Sequence, residues 1–152
     1  MQEPLKFVKQ QHERGCCVAC VAMLTGRSYE DVWNDQVKAF GTADEVLNLR
    51  FIDWRVYLNY MGFETGMYEA EGPLLQAIQQ LPKSIRFFCS IGTVENHTKH
   101  SPRNTHTIVV DENGIVFDPA TDAPGTYSVE HYQANPTKML VAVSVHDRRL
   151  LK

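Results

Sequence analysis

Cys16 is the residue in this sequence best placed to act as a nucleophile. It begins a run of nine nonpolar residues, 16–24, directly after a polar stretch, residues 10–15. A helix that is apolar on every side is normally buried, so only its first turn can reach a cleft. The unpaired amides and the positive dipole at that end stabilise a thiolate, which is the reactive form of cysteine. The pattern therefore predicts a reactive thiol at Cys16.

A histidine and a carboxylate that could serve this thiol lie on one predicted hairpin. His106 opens an apolar strand, and Asp118 ends the strand that returns from the turn. A three-residue loop at residues 111–113 pairs Val110 with Gly114 and places His106 opposite Asp118. Opposed residues share a face, with Cβ atoms roughly 4.5 to 5.5 Å apart, so the carboxylate can hold the imidazole by a hydrogen bond.

The turn of this hairpin has a second interpretation. A two-residue turn at Asn113 and Gly114 would oppose Asp118 to Val109 and not to His106. The sequence permits the first register without requiring it. The contact between His106 and Asp118 is therefore a prediction that depends on the turn.

The elements that must position these groups are helices in the first half of the chain and strands in the second. Gly26 ends the helix that begins at Cys16, and Ser28 caps a second helix near residues 32–37. Further helices are predicted for residues 48–61 and 74–81, with a short one from Ser128, and strands for residues 84–91, 105–110, 115–117 and 138–146. This order predicts an α+β fold in which N-terminal helices pack against a C-terminal antiparallel sheet.

The composition narrows the class of protein. A chain of 152 residues with 43% hydrophobic residues predicts a single domain, residues 1–152, with a sizeable core. The net charge of −3 argues against a nucleic-acid or membrane partner. No signal peptide or membrane span is recognisable, and the closely spaced cysteines favour reduced thiols, so we expect a cytoplasmic protein. The third helix should contribute four apolar residues to the core: Phe51, Trp54, Leu58 and Met61.

These residues together resemble a known family of enzymes. Gln10, five intervening residues, Cys16 at the head of an apolar helix, a later His-apolar strand and Asp118-Pro119 resemble the papain-like cysteine peptidases that process double-glycine leader peptides. Residues 15–32 are most similar to small stand-alone relatives in bacteria and phages. The resemblance implies a papain-like fold with Cys16 as nucleophile, His106 as general base and acid, Asp118 as the residue that orients the imidazole, and Gln10 as an oxyanion-hole donor.

The same resemblance implies a function. It indicates a cysteine peptidase that hydrolyses a peptide or isopeptide bond in a protein or peptide substrate through a thioester, without a cofactor. An acyl transferase with the same triad and an amine acceptor is the enzymatic alternative. A non-catalytic peptide-binding module is the alternative from another class. The substrate and the oligomeric state do not follow from the sequence.

Three further residues are candidate substrate contacts. Cys17 stands where many relatives have glycine, so it bears on how closely a substrate strand can approach. Lys99 and Arg103 belong to a basic, polar stretch, residues 96–104, that leads into His106, and this stretch is a candidate substrate-contacting flap. Cys20 and Cys89 are expected to be buried and unreactive.

A zinc site is the competing interpretation of the thiols. Cys16, Cys17 and Cys20 with His97 and His100 supply suitable ligand types. A closed zinc site usually draws on a C-x-x-C or similar loop, and these thiols belong to an apolar helix. We therefore expect no metal.

Overall fold

The structure is a computed structural model that describes residues 4–69, 85–92, 105–132 and 137–147. Its helices are α1 (Cys16–Thr25), α2 (Tyr29–Phe40), α3 (Ala43–Leu47) and α4 (Phe51–Tyr60), followed late in the chain by a 3₁₀ helix (Val129–Tyr132). Gly26 ends α1 in a left-handed conformation with φ of 72°. Ser28 caps α2 by accepting a hydrogen bond from the Asp31 amide at 3.0 Å. Both helix boundaries were predicted, although α2 extends beyond residues 32–37 at each end.

Five strands form one antiparallel sheet in the order β1-β5-β2-β3-β4. They are β1 (Phe63–Glu69), β2 (Ile85–Gly92), β3 (Thr105–Val110), β4 (Val116–Phe117) and β5 (Thr137–Asp147). The bounds of β2 to β5 agree with the predicted strands to within one residue. Helices followed by an antiparallel sheet confirm the predicted α+β class.

Two elements were not predicted. The chain was expected to be helical up to residue 84, but β1 pairs with β5, far away in sequence. Gly66 in the middle of β1 weakens the local strand signal, so this strand depends on its distant partner. Helix α3 has five residues and is too short to show a helical period. The predicted helix at residues 74–81 lies outside the described residues.

Two hydrophobic clusters cover the two faces of the sheet. The first includes α1 and the inward side chains of α4, together with Phe88, Val109 and Phe117 from the sheet. The second lies on the other face and takes the alternate positions of the same strands: Phe87, Cys89, Ile91, Ile108, Val110 and Val116, joined by Val129 and Tyr132. Each face of the sheet therefore has its own core.

The predicted core residues of α4 are largely confirmed. Trp54 is 1% exposed and Leu58 is fully buried, while Met61 packs against the first cluster as a partly buried residue. The side chain of Phe51 lies outside the described part of the chain. Among the helices that the structure describes, none combines the length and the apolar character that crossing a membrane requires.

Candidate active site

Cys16 is the first residue of α1, and its side chain is only partly buried. The residues that follow it at positions 18–24 are all buried in the first cluster. Gly15 precedes the helix and supplies no side-chain cap. The sulfur of Cys16 therefore lies at the unpaired amides and the positive end of the helix dipole. The structure confirms the predicted location of this thiol at the head of a buried helix.

The predicted contact between the imidazole and the carboxylate is present. His106 Nε2 donates to Asp118 Oδ1 at 2.7 Å. The register from which we predicted it is wrong, because Val110 pairs with Val116 and not with Gly114. A shift of two residues leaves each side chain on its original face. His106 and Asp118 therefore still share a face and meet diagonally across the strands.

The side chain of Asp111 explains the longer turn. It accepts hydrogen bonds from the amides of Asn113 at 2.9 Å and Ile115 at 2.8 Å. The Asp111 amide in turn donates to the Ile115 carbonyl at 3.0 Å, and Gly114 has a φ of 81°. Neither the predicted three-residue loop nor the two-residue alternative forms, because Asp111 stabilises a wider loop.

Asp118 is held by more donors than the sequence analysis identified. The Ala120 amide donates to Oδ1 at 2.9 Å, and the Tyr132 hydroxyl donates to Oδ2 at 2.7 Å. Tyr132 ends the 3₁₀ helix and is 5% exposed. No sequence pattern indicated this role, because the segment between the two residues is irregular and does not fix where the hydroxyl lies.

The electrostatics of the site favour a thiolate paired with an imidazolium. Hydrogen bonds from the Cys17 thiol and from His106 hold the pKa of Cys16 well below its ordinary value, despite burial. Burial disfavours a charged His106, but hydrogen bonds to Asp118 and Cys16 outweigh it and raise its pKa to about 10. Burial also opposes ionisation of Asp118, yet His106 and Tyr132 hold the pKa of its carboxyl below the usual range.

The other thiols of the chain are held in their neutral form. Cys17 Sγ lies 3.3 Å from Thr107 Oγ1, and Cys20 Sγ donates to the Thr107 carbonyl at 3.4 Å. The hydrogen bond to Cys16, together with burial, raises the pKa of Cys17. Burial raises the pKa of Cys20 and of Cys89. Cys16 is therefore the thiol that ionises first.

The site lies at the outer edge of β3. The side chain of Thr107 contacts Cys17 of α1, so by alternation His106 leaves the strand on the opposite face, together with Ile108. Strand β4 pairs only with Val109 and Val110, so no described strand covers this edge at His106. At this edge the imidazole of His106 interacts with the thiol of Cys16.

Gln10 belongs to the loop that leads into α1. Its Nε2 donates to the carbonyls of His12 at 3.1 Å and Glu13 at 2.9 Å, and its backbone amide donates to Pro119 O at 3.0 Å. Its Oε1 is buried without a hydrogen-bond partner in the described part of the molecule. Gln10 is thus tied to the segment after Asp118, but both protons of its side-chain amide are engaged within the loop.

An aromatic cluster that was not predicted from the sequence supports this loop. His12 Nδ1 lies 2.7 Å from the Tyr29 hydroxyl, and the His12 ring stacks on Trp33 with centroids 4.1 Å apart. A Cβ at Gly15 would overlap the Tyr29 hydroxyl. Only glycine fits directly before Cys16 in this arrangement. The Gly15-Cys16 pair is therefore the feature of the sequence that could have indicated close packing at this loop.

The remaining predicted site residues lie outside the described ranges. These are the candidate substrate contacts Lys99 and Arg103 and the possible zinc ligands His97 and His100. Within residues 4–69, 85–92, 105–132 and 137–147, no group of three or more His, Cys, Asp or Glu side chains is arranged to hold a metal ion.

Comparison with known proteins relates the fold of the chain to that of a peptidase domain. No family model matches the chain, and no curated protein sequence matches it either. Among solved structures, it is similar to the peptidase domain of Streptococcus ComA, described as a bifunctional ABC transporter involved in a quorum-sensing pathway. The two share 19% sequence identity with a TM-score of 0.60, over 92% of this chain and 98% of that domain. The chain therefore has the fold of this peptidase domain, which confirms the predicted papain-like fold class.

Proposed function

We propose that the chain is a cysteine peptidase that hydrolyses a peptide or isopeptide bond. Cys16 is its nucleophile, His106 its general base and acid, and Asp118 the residue that orients the imidazole. One observation carries the proposal: a half-buried helix-end thiol with a lowered pKa interacts with an imidazole that a buried carboxylate holds at 2.7 Å. The fold shared with a peptidase domain supports it.

In this proposal the two ring nitrogens of His106 have different tasks. Nε2 donates to Asp118, so Nδ1 is the nitrogen available to Cys16. The thiolate attacks the substrate carbonyl, and the tetrahedral intermediate collapses to a thioester as His106 protonates the leaving amine. The neutral imidazole then takes a proton from water, which attacks the thioester. Release of the carboxylic acid restores the thiolate and the imidazolium.

The developing oxyanion needs donors near the Cys16 sulfur. The Cys16 backbone amide and the Gln10 side-chain amide are the proposed pair. Gln10 must first give up its hydrogen bond to the carbonyl of His12 or Glu13. Loss of one such donor typically removes about 2.7 to 4 kcal/mol of transition-state stabilisation.

The proposed substrate is a protein or peptide that meets the site in the cytoplasm of a bacterial or phage-infected cell. Cys17, next to the nucleophile, and Lys99 and Arg103, from the stretch before His106, are its proposed contacts. Replacing Lys99 and Arg103 together with Ala should raise KM with little change in kcat, since these cations do not take part in the chemistry. Unchanged kinetic constants would remove both residues from the binding site.

A thiol-directed probe tests the nucleophile and its base. Wild-type protein should be alkylated by iodoacetamide at Cys16 at neutral pH, and Cys16→Ser should abolish this labelling. Cys17→Ser is the matched control, because it removes the adjacent thiol and should retain the labelling. Alkylation of His106→Ala at the wild-type rate would contradict the proposed ion pair, since an unassisted thiol would then be reacting.

A peptide library with mass-spectrometric readout tests turnover. Cleavage that requires both Cys16 and His106 supports the peptidase. Hydroxylamine should divert part of the acyl group to a hydroxamate, because a thioester is attacked by amines as well as by water. In the absence of hydroxylamine, products joined to an amine in place of free acids would assign the chain to acyl transfer. Labelling without any turnover would assign it to peptide binding.

A further inference from the structure

We propose that Tyr132 is a positioning residue of this site, whose hydroxyl keeps the Asp118 carboxylate ionised and directs its Oδ1 to His106. The inference rests on the proposed function, in which Asp118 orients the imidazole. It adds a fourth residue to Cys16, His106 and Asp118, and this residue comes from a 3₁₀ helix that the sequence did not connect with the site.

The two oxygens of Asp118 have separate partners. Oδ1 accepts from His106 Nε2 at 2.7 Å and from the Ala120 amide at 2.9 Å. Oδ2 accepts from the Tyr132 hydroxyl at 2.7 Å. A carboxylate bonded through one oxygen can rotate about its Cβ–Cγ bond, whereas bonds at both oxygens fix its plane. The hydroxyl of Tyr132 therefore fixes which oxygen faces the imidazole.

Burial makes this hydroxyl necessary. Asp118 is 7% exposed and Tyr132 is 5% exposed, so water has little access to Oδ2. Burying an ionised oxygen without a hydrogen-bond donor costs free energy. The pKa of the carboxyl therefore rises, and it takes up a proton at a higher pH. Tyr132 is held in place because its ring belongs to the second core cluster, next to Val129 of the same 3₁₀ helix.

The titratable groups around Asp118 leave the hydrogen bond in place over the working range of pH. Asp118 is hydrogen-bonded to His106 of β3. It also interacts electrostatically with the Cys20 thiol of α1, which burial keeps neutral. From the 3₁₀ helix it meets Tyr132, whose pKa is raised by burial and by Asp118 itself. The neighbouring ring of Tyr127 raises it further. The phenol therefore remains a donor throughout the pH range in which a peptidase would act.

A carboxyl ¹³C NMR titration of the full chain tests the inference directly. The Asp118 signal is assigned by its absence in Asp118→Asn. In wild-type protein it should titrate below the ordinary range, and in Tyr132→Phe about one pH unit higher, which is the size expected for loss of one such hydrogen bond. Tyr127→Phe is the matched control: it removes a hydroxyl from an adjacent ring, 6.4 Å away between centroids, and should leave the titration unchanged.

A second signal reports on the imidazole. The proton that His106 Nε2 donates to Asp118 should give a downfield ¹H resonance, lost when acid protonates the carboxylate. In Tyr132→Phe this resonance should disappear at a higher pH than in wild type, by the same interval as the shift of the Asp118 titration. In the Asp118→Asn background, Tyr132→Phe should cause no further change, because no carboxylate remains for it to act on.

The outcomes separate the inference from the proposed function. An Asp118 titration that is the same in Tyr132→Phe and in wild type would overturn the role of Tyr132 and leave the peptidase proposal standing. Cys16 alkylation that does not depend on His106, measured on the same samples, would contradict the peptidase but not the link between Tyr132 and Asp118.

Whether the variants fold also distinguishes a role of Tyr132 that depends on the carboxylate from a role in packing alone. If Tyr132→Phe does not fold, the double variant Asp118→Asn/Tyr132→Phe should fold, because a neutral amide does not require the phenol. Failure of both variants to fold would overturn the inference, since Tyr132 would then be needed for packing irrespective of the carboxylate.

Discussion

The two sides of the site are built differently. On the sheet side, His106, Ala120 and Tyr132 supply donors to both oxygens of Asp118. On the helix side, the loop before Cys16 is held by packing and by its own carbonyls, and Gln10 Oε1 is buried without a partner among the described residues. Both oxygens of Asp118 therefore have donors before a substrate arrives, whereas the side-chain amide of Gln10 is bound to its own loop.

In the proposed mechanism the two sides have different roles. Hydrogen bonds to ionised groups are the strong ones, so the proposed base, His106, is preorganised at little cost during the reaction. The side-chain amide of Gln10 donates to the carbonyls of His12 and Glu13, so one of these hydrogen bonds must break before Nε2 can reach an oxyanion. Substrate binding would supply the free energy for that rearrangement, and the amide of Gln10 would become available to the oxyanion.

The largest expected effect comes from removing the centre of the sheet side. Asp118→Ala leaves His106 and Tyr132 without their shared acceptor, so the imidazole loses both its orientation and its charge partner. We expect turnover to fall by about 100-fold to 10,000-fold, the range of general acid–base contributions. The hydrolysis rate of a peptide identified by library screening measures this effect.

Asp122→Ala is the control for that substitution. Asp122 lies four residues further on, is exposed, and pairs with Lys9 on the surface. Its removal should leave turnover unchanged. Equal losses in Asp118→Ala and Asp122→Ala would mean that the whole segment is sensitive, and the proposed role of the sheet side would be wrong.

Gln10→Ala tests the helix side, with an expected loss of about 100-fold in kcat, the lower end of values for an oxyanion-hole donor. Gln11→Ala is the control, since Gln11 is the exposed neighbour. A variant with normal kcat and reduced thermal stability would show that Gln10 only clamps the loop through His12 and Glu13. The contrast between the two sides would then be structural and not catalytic.

The fold was predictable where local patterns carry the information. The apolar run from Cys16, the Ser28 cap and the alternation in β3 each specify an element through neighbours in sequence. Strand β1 and helix α3 were missed for the opposite reason. β1 depends on pairing with β5, and α3 has fewer residues than two helical turns.

The site was predictable to the extent that its members carry recognisable chemistry. His106 and Asp118 are in hydrogen-bond contact as predicted, and Cys16 interacts with His106, although the hairpin register was wrong by two residues. Tyr132 and the aromatic support of the Gln10 loop were missed, because a phenol or an indole has no distinctive sequence signal. Their roles depend on tertiary contacts that only the folded chain creates.

Gly15→Ala examines whether packing alone holds the helix side. The added Cβ would overlap the Tyr29 hydroxyl, so the loop or Tyr29 must move, at a cost of about 1 to 3 kcal/mol in the free energy of unfolding. Chemical denaturation measures this cost. In a Tyr29→Phe background the same substitution should cost less, because the clashing atom is gone. An equal cost in both backgrounds would show that another contact, such as that with the His12 carbonyl, limits the space at Gly15.

The charge of the sheet side can be tested separately from its hydrogen bonds. Asp118→Asn keeps an acceptor for His106 but removes the negative charge that helps raise the pKa of His106 to about 10. A group with a raised pKa keeps its proton until the pH passes that value, so the imidazolium of the variant should be lost at a lower pH, by about one to three units. An NMR titration of the His106 ring measures the shift, with Asp122→Asn as the control. An unchanged His106 titration would mean that the Cys16 thiolate alone holds the imidazolium, so the helix side and not the sheet side would set the upper pH limit of the ion pair.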